Sequence, residues 1–304
     1  MTKPSNTQSQ KRFNESTGRL FGENTPKKCV FIKSSADKGV IRNGGRNGAR
    51  FAPQSFLSTF KKFSQDEFIR HYSFEEHEIS NPEEENRNFH EAQLLESDRM
   101  KNVLKGSADK RIIHLGGGHD HIYPLLRAFS DQYQKIIVIN IDAHADTRTD
   151  EIFHSGTPFR QFASEFQGDF SLFQIGLHSF ANSSSTLSPL QRGTSDILWK
   201  NNFTQENLTS FFKKIHSLID EKTLTIFSLD ADAMDGSIVP GVSAVNPRGF
   251  TYQELLEIWL KYSSLPLSHE PVMGIYELNP VYDTLAGISM RTMASFVFET
   301  FRKE

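Results

Sequence analysis

Acidic residues and histidines directly follow three apolar segments of the chain, IIHLGG, KIIVIN and LTIFSL. These side chains are His119, Asp142, His144, Asp146, Asp230 and Asp232. Within the second and third groups they occur at every second residue, and alternate residues of an extended chain face the same side. If that geometry persists, each group presents its side chains to one small volume.

Four aspartates in one dry volume cannot all be ionised unless cations offset their charge. Two divalent cations would offset four carboxylates, and ligands of this mixed oxygen and imidazole type suit Mn²⁺, with Fe, Co or Zn as substitutes. A single Asp at a strand end is usually a cap, and a single His is usually a satisfied core or surface residue. Because acidic residues or histidines follow three separate predicted strands, the pattern predicts a metal site.

The elements that must position these residues alternate along the chain. Apolar runs typical of buried strands lie at 29–33, 111–117, 135–142, 170–178, 224–230 and 272–279. Helical patterns lie at 52–64, 88–105, 120–132, 205–220, 251–262 and 284–302. This alternation predicts a single three-layer α/β/α domain with a central, mainly parallel sheet. Ligands of such sheets bind at the carboxyl ends of the strands, where the acidic residues fall.

Composition and charge limit the possible domain organisation, cellular compartment and partners. Residues 1–27 are polar and predict a flexible N-terminal arm before one catalytic domain at 28–304. The acidic stretch 74–88 predicts a solvated connection. The net charge of -3 does not favour a nucleic-acid partner, and the single cysteine, Cys29, fits a reducing compartment. No apolar run reaches the ~18 residues of a membrane span, so we expect a cytoplasmic protein with neither a membrane nor a nucleic-acid partner.

Three segments resemble the signature motifs of the ureohydrolase superfamily, which includes arginase, agmatinase and formimidoylglutamase. They are GGGHD (116–120), DAHAD (142–146) and SLDAD (228–232), and the resemblance extends from 37–50 to YELNP at 276–280. It implies an arginase-like fold, and it implies that the six side chains at the strand ends bind two Mn²⁺ ions. It also implies a homo-oligomer, either a trimer or a hexamer.

The resemblance further implies a hydrolytic mechanism. The two metals would activate a water that attacks the planar carbon of an amidine or a guanidine. Asp146 or Asp232 would relay a proton to the leaving amine. Glu277 would pair with the cationic amidine or guanidine; its alternative role is that of a surface acid at a strand end.

The segment HSGTPFRQF (154–162) resembles the formimidoylglutamase branch, which typically carries Ser-Gly-Thr-Pro-Phe-Arg. Guanidine-cleaving relatives usually carry His-Gly here, and that His transfers protons. Ser155 stands at the matching position, while His154 stands one residue earlier, so a proton-shuttle role for His154 is left open. The segments at 39–49 and 240–249 also resemble this branch, the second only over its first five residues.

N-Formimidoyl-L-glutamate carries one amidinium and two carboxylates, so its pocket needs positive charge. Arg148, two residues past Asp146, is the leading candidate for binding a substrate carboxylate. Arg46 and Arg160 are weaker candidates that could equally form structural salt bridges. The remaining predicted substrate contacts are Arg42, Asn43 and Thr157.

The sequence therefore predicts a binuclear manganese hydrolase that converts N-formimidoyl-L-glutamate and water to L-glutamate and formamide, a step of histidine degradation. The alternative is an arginase, an agmatinase or a guanidino-acid hydrolase that releases urea. A non-catalytic metal-binding member usually lacks a ligand, and here every expected ligand is present. A phosphatase would share the two-metal chemistry, but the sequence has no evident phosphate cradle.

Overall fold

The computed structural model describes residues 27–63, 69 and 72–302. Its strands form one eight-stranded sheet in the order β2-β1-β3-β8-β7-β4-β5-β6. Their bounds are β1 Lys27–Ser34, β2 Tyr72–Glu78, β3 Lys110–Gly116, β4 Lys135–Ile141, β5 Asp169–Ile175, β6 Thr194–Leu198, β7 Thr223–Asp230 and β8 Val272–Tyr276. All pairings between neighbouring strands are parallel, so their carboxyl ends meet at one edge.

Helices cover both faces of this sheet. Their bounds are α1 Lys38–Arg42, α2 Ala52–Phe60, α3 Pro82–Arg87, α4 Phe89–Leu104, α5 Ile122–Phe129, α6 Pro158–Glu165, α7 Gln205–Leu218, α8 Tyr252–Ser263 and α9 Ile288–Thr300. The apolar side chains of α2, α7, α8 and α9 pack into one core cluster, and those of α4, α5 and α6 pack into the other. The predicted three-layer α/β/α fold is confirmed.

The central strand β4 shows why the sequence forms this architecture. Its residues Ile136 and Val138 pack into one core cluster, while Ile137 and Ile139 pack into the other. A strand with helices on both faces buries every side chain, so it is a continuous apolar run rather than an alternating one. The same holds for β7, in which all residues are buried.

The prediction of a solvated connection at 74–88 is wrong. Most of β2 lies there, followed by α3. Phe74 of β2 packs into the core, and Asn81 caps α3 by accepting a hydrogen bond from a backbone N–H. Both β2 and the other edge strand, β6, lack a long apolar run because an edge strand is partly exposed. This explains why neither was predicted.

The described part of the chain contains no helix that is both long enough and apolar enough to cross a membrane. Cys29 is buried within β1. Residues 1–26 of the predicted arm, and residues 64–68, 70–71 and 303–304 of the predicted domain, lie outside the described residues.

Candidate metal centre and substrate cavity

Four neighbouring strands in the middle of the sheet, β3, β8, β7 and β4, bring the candidate ligands together. His119 lies just after β3, and Glu277 follows β8 directly. Asp230 is the last residue of β7, and Asp142 follows β4 directly. The shared edge of a parallel sheet therefore gathers side chains that are up to 158 residues apart in sequence.

The candidate ligands form two adjacent groups. In the first, His119 Nδ1 lies 3.2 Å from Asp142 Oδ2, 3.0 Å from Asp146 Oδ2 and 3.1 Å from Asp230 Oδ2. In the second, His144 Nδ1 lies 3.1 Å from Asp232 Oδ2 and 3.7 Å from Asp142 Oδ1. Within each group the candidate ligand atoms lie within 4.8 Å of one another. Asp142 belongs to both groups and offers a different oxygen to each.

Turns, rather than continued strand geometry, bring these side chains together. The Asp142 Oδ1 atom accepts a hydrogen bond from the His144 backbone N–H at 2.7 Å. Asp230 Oδ1 accepts one from the Asp232 backbone N–H at 2.9 Å. The chain leaves the strand at each first aspartate, and a side chain that folds back onto the backbone two residues later fixes the turn. The side chains meet as expected, but the alternation of an extended strand, from which this was predicted, does not continue past the strand ends.

Two residues of the site have strained backbone conformations. Asp146 has a φ of 50° and Glu277 a φ of 62°, and in the described chain no other non-glycine residue has a positive φ. Each such residue costs about 1–2 kcal/mol. The Glu277 backbone is held by a hydrogen bond from its N–H to the Gly117 carbonyl at 2.8 Å. Strain of this kind persists where surrounding contacts fix it, and it is concentrated at functional sites.

The glycines before His119 permit a close approach of backbone segments. A Cβ atom on Gly117 would lie 1.9 Å from the Ala36 carbonyl oxygen, and one on Gly116 would lie 2.5 Å from the Tyr276 ring. The Tyr276 ring itself stacks on the His119 ring, with centroids 4.7 Å apart. Because these glycines have no Cβ atom, the backbone before His119 can pack closely between the loop after β1 and the end of β8.

The first group has the bonding pattern of a metal ligand set. His119 Nε2 lies 2.9 Å from Ser228 Oγ, and this contact leaves Nδ1 directed at the three carboxylates. A histidine ligand usually makes such a hydrogen bond through its second nitrogen. In the second group, Asp232 Oδ1 is buried without a hydrogen-bond partner among the described residues. Carboxylate oxygens and imidazole nitrogens are metal-binding atoms, and a cation would balance the charge of these carboxylates. The residues therefore fit a metal centre.

The pKa values indicate how much negative charge is concentrated here. Burial, reinforced by the charge of Asp146, raises the pKa of Asp142 to about 7. Burial also raises the pKa of Asp230 well above its usual range. Burial alone would lower the pKa of His119, but its bonds to the carboxylates outweigh burial and raise it well above 6.5. The charge of Asp232 raises the pKa of His144 to about 11. Without cations, these groups retain protons.

A cavity of about 310 Å³ opens above the two groups. Its lining includes Asn43, His144, Asp146, Arg148, Ser155, Asn182, Asp230, Asp232, Ser243 and Glu277. This volume suits a small molecule. Glu277 is buried, which raises its pKa to about 8, and its Oε1 accepts a hydrogen bond from the His119 backbone N–H at 3.0 Å.

Arg148 and Asn43 are predicted substrate contacts that do line this cavity. One guanidinium nitrogen of Arg148 donates to Asn43 Oδ1 at 2.7 Å, and the other lies 2.7 Å from Asp150 Oδ2. Asn43 Nδ2 in turn donates to Ser155 Oγ at 3.1 Å. The side chain of Arg148 remains 46% exposed, so its guanidinium is accessible from solvent.

The other arginines considered as substrate contacts, Arg42, Arg46 and Arg160, are not among the residues that line this cavity. Arg46 donates to the carbonyls of Val242 and Ser243 and packs over the Tyr282 ring. Arg160 donates to the carbonyls of Thr147, Ser188 and Pro189. Arg42 donates to the Phe153 carbonyl at 2.8 Å. Each guanidinium binds backbone carbonyls, so these arginines brace loops around the cavity.

His154 is also absent from the cavity lining, and its role as a proton shuttle stays a prediction. The residue is buried, and its Nδ1 accepts a hydrogen bond from the Gly156 backbone N–H at 3.0 Å. Its Nε2 therefore carries the proton and donates to Asp150 Oδ2 at 2.8 Å. Thr157, another predicted contact, donates its hydroxyl to the His154 carbonyl and is likewise absent from the lining. Both ring nitrogens of His154 are thus occupied.

Sequence reasoning missed Asn182 and Asp150. Asn182 lines the cavity and braces the loop of the DAHAD motif: its Oδ1 accepts from the Ala145 N–H at 2.8 Å, and its Nδ2 donates to the Ala143 carbonyl. It stands in a serine-rich loop with no recognisable pattern. For Asp150 a signal existed, since the spacing of DTRTD places Arg148 between two aspartates.

Known proteins share both the sequence pattern and the fold of this chain. The sequence model of the arginase family matches residues 28–302. A formimidoylglutamase of Staphylococcus aureus (strain MRSA252) is 28% identical over 277 residues, which are 88% of this chain and 84% of that protein. The crystal structure of formimidoylglutamase from Bacillus subtilis aligns with a TM-score of 0.79 at 22% identity and covers 93% of this chain and 88% of that one. A structure of Trypanosoma cruzi formiminoglutamase with Mn²⁺ aligns with a TM-score of 0.73 at 23% identity and covers 93% and 95%.

Proposed function

Because the chain belongs to the arginase family, we propose that it hydrolyses the C–N bond of a linear amidine and that its substrate is N-formimidoyl-L-glutamate. Water adds to the formimidoyl carbon, and the bond from that carbon to the glutamate nitrogen breaks. The glutamate nitrogen gains a proton. The products are L-glutamate and formamide.

One observation favours a substrate that combines an amidinium-type cation with a carboxylate: a carboxylate, Glu277, and a guanidinium, Arg148, line the same cavity as the candidate metal ligands. An amidinium group needs an anionic partner, which Glu277 supplies. The substrate carboxylates need a cationic partner, and Arg148 offers a planar fork. Agmatine has no carboxylate and would leave Arg148 unused. Similarity to the formimidoylglutamase of Staphylococcus aureus supports the same substrate.

We further propose that two Mn²⁺ ions bind at the two groups. His119, Asp142, Asp146 and Asp230 would hold one ion, and Asp142, His144 and Asp232 the other. When bound, such ions lower the pKa of a water toward neutrality and offset the charge that develops on the reacting centre. The formiminoglutamase of Trypanosoma cruzi was crystallised with Mn²⁺, which supports this choice of metal.

The chain's own carboxylates orient the substrate and move protons. Glu277 Oε1 is engaged by the His119 N–H, so Oε2 is the atom that would accept from the amidinium. Asp232 directs Oδ2 at His144, whereas its buried Oδ1 has no partner among the described residues. That Oδ1 atom would take a proton from the attacking water and pass it to the leaving nitrogen. Asp146 is the alternative carrier.

Family resemblance also leads us to propose a homo-oligomer, either a trimer or a hexamer. Light scattering coupled to size-exclusion chromatography measures the mass directly. A mass of three or six chains supports this proposal, and a mass of one chain contradicts it.

The decisive experiment for the function is a substrate screen of the protein reconstituted with Mn²⁺. N-Formimidoyl-L-glutamate, L-arginine, agmatine and a guanidino acid are supplied separately, and formamide, urea and ammonia are measured for each. We expect formamide from N-formimidoyl-L-glutamate alone. Urea from a guanidine would indicate another hydrolase of this family. The absence of product from every substrate, in a sample shown to contain metal, would indicate a non-catalytic member.

A further inference from the structure

A second group of buried ionisable side chains lies beside the candidate metal centre but shares no residue with it. Glu85 belongs to α3, Glu96 to α4, and Asp120 and His121 to the short helical turn after β3. All four are at most 4% exposed. The proposed hydrolysis uses none of them.

One nitrogen of His121 is fixed by a carboxylate. His121 Nδ1 lies 2.9 Å and 3.0 Å from the two oxygens of Glu96, so this nitrogen carries a proton and donates it. Glu96 also accepts a hydrogen bond from the Ser34 hydroxyl at 2.5 Å. Ser34 Oγ is in turn 2.8 Å from His114 Nε2. Glu96 is therefore satisfied without Glu85 or Asp120.

The other nitrogen of His121 faces oxygen atoms. Nε2 lies 3.1 Å from the Ala36 carbonyl oxygen, 3.7 Å from Glu85 Oε1 and 3.9 Å from Asp120 Oδ2. Glu85 Oε1 and both oxygens of Asp120 are buried and have no hydrogen-bond partner in the described part of the chain. Among those residues, neither carboxylate forms an ion pair with a lysine or an arginine.

This arrangement has the ligand atoms of a metal site but too little positive charge: three carboxylates, Glu85, Glu96 and Asp120, face one imidazole, and even a doubly protonated His121 offsets only one of their charges. The Glu85 carboxylate accepts a backbone hydrogen bond from Lys38, but its Oε1 and both oxygens of Asp120 have no partner among the described residues. Ionised oxygens in this state are costly to bury unless a cation lies between them. A histidine that donates one N–H to a carboxylate and directs the other nitrogen at further ligands has the bonding pattern of a metal ligand. Glu85, Asp120 and His121 each offer one such atom, all within 4.8 Å of one another.

We propose that Glu85 Oε1, Asp120 Oδ2, His121 Nε2 and the Ala36 carbonyl oxygen bind a third divalent cation, separate from the pair at the candidate metal centre. The mixture of carboxylate, carbonyl and imidazole ligands suits Mn²⁺ or a similar ion. The ion has a structural role: it ties α3 and the loop after β1 to the turn that carries His119. A ligand that binds only the folded state stabilises that state.

Crystals of the unaltered chain grown with Mn²⁺ test this proposal directly. Anomalous scattering at the manganese absorption edge should show a peak next to His121 Nε2, in contact with Glu85 and Asp120. The peak should be present whether or not the protein releases formamide, so failure of the proposed function does not remove it. The absence of a peak there, in crystals that show manganese at Asp142, overturns the proposal.

The manganese content per chain, measured in solution, compares a charge-removing variant with the unaltered protein. The variant Glu85→Gln keeps the side-chain shape and removes the charge, and it should hold one Mn²⁺ ion fewer per chain than the unaltered protein. Electron paramagnetic resonance should show the signal of an isolated Mn²⁺ ion in the unaltered protein but not in Glu85→Gln, whose remaining two ions form the coupled pair. Equal manganese contents for Glu85→Gln and the unaltered protein contradict the third site. If Glu85→Gln does not fold, the crystal experiment decides alone.

Discussion

The carboxylate of Asp150 lies 2.7 Å from the guanidinium of Arg148. The same Oδ2 atom accepts a hydrogen bond from His154 Nε2 at 2.8 Å. The Gly156 N–H orients the buried ring of His154. This ring holds the Asp150 carboxylate, which in turn holds the Arg148 guanidinium. Asp150 holds Arg148 in place and is not among the residues that line the cavity, so we infer a positioning role for it.

The variant Asp150→Asn should weaken substrate binding without removing metal. An amide keeps the side-chain shape but loses the charge that holds Arg148, and partly exposed ion pairs of this kind contribute about 1 kcal/mol, or roughly a fivefold change. We expect KM for N-formimidoyl-L-glutamate to rise by about that factor while kcat stays nearly constant. Asp196→Asn, which removes the partner of exposed Lys214, is the control. A fall in kcat with unchanged KM would contradict a positioning role.

The variant Arg148→Ala should have a larger effect. Hydrogen bonds to a charged group contribute about 1.5–3 kcal/mol, so kcat/KM should fall about 10–100-fold. Manganese content, measured by mass spectrometry, should be unchanged because Arg148 binds no candidate ligand. The exposed Arg192 provides a matched Arg→Ala control. An unchanged kcat/KM for Arg148→Ala would exclude Arg148 from substrate binding.

Removal of a candidate ligand should affect both metal and chemistry. Asp232→Ala deletes the partner of His144 and the buried Oδ1 atom, so one manganese ion per chain should be lost. Because a metal supplies several kcal/mol of transition-state stabilisation, formamide release should fall by about a thousandfold or more. Asp235→Asn, in the same loop, should retain both metal and activity. Normal turnover by Asp232→Ala would refute the ligand assignment.

Manganese binding should strengthen as pH rises. In the folded protein the pKa of Asp142 is raised to about 7 and that of Glu277 to about 8. These carboxyls therefore keep protons in the folded protein at pH values where the unfolded chain, which loses them near pH ~4, no longer holds them. The metal-free protein therefore loses stability as pH rises from ~4 to ~8. At Asp142 the ion replaces the proton, so the gain in Tm on adding Mn²⁺ should grow over this interval. A gain that shrinks toward pH ~8 would contradict this linkage.

The glycine before the metal motif should resist substitution for a steric reason. Gly117→Ala places a Cβ 1.9 Å from the Ala36 oxygen, so the backbone must shift, at a cost of about 1–3 kcal/mol, and His119 moves with it. Gly106→Ala has no atom within 4 Å but a φ of +68°, which costs about 1–2 kcal/mol. Both variants should lower Tm. Only Gly117→Ala should also lower manganese content, and equal content in both would contradict the steric explanation.

Strand ends were the part of the site that the sequence could predict. A strand covered on both faces is a continuous apolar run, so the ends of β4 and β7 are visible in the sequence, and Asp142 and Asp230 follow from them. The half-exposed edge strands β2 and β6 carry no such signal. Hydrophobic patterning reports burial, and these strands are only partly buried.

The substrate side of the site was less predictable because it is built by loops. Proximity to Asp146 in sequence favoured Arg148 over Arg160, and of these two only Arg148 lines the cavity. The sequence did not reveal that Arg160 is bound to backbone carbonyls. The partner of each guanidinium is set by loops distant in sequence, such as 186–189, whose path depends on the completed fold.

The position of β8 in the sheet bears on how the protein acquires its metal during biosynthesis. This strand is the last of the sheet in chain order, yet it lies between β3, which leads to His119, and β7, which leads to Asp230. A nascent chain that has not yet emerged past residue 276 lacks the strand that sets the spacing between these two candidate ligands. Ion loading should therefore follow the emergence of β8, and a ribosome-stalled fragment ending before β8 should fail to retain manganese.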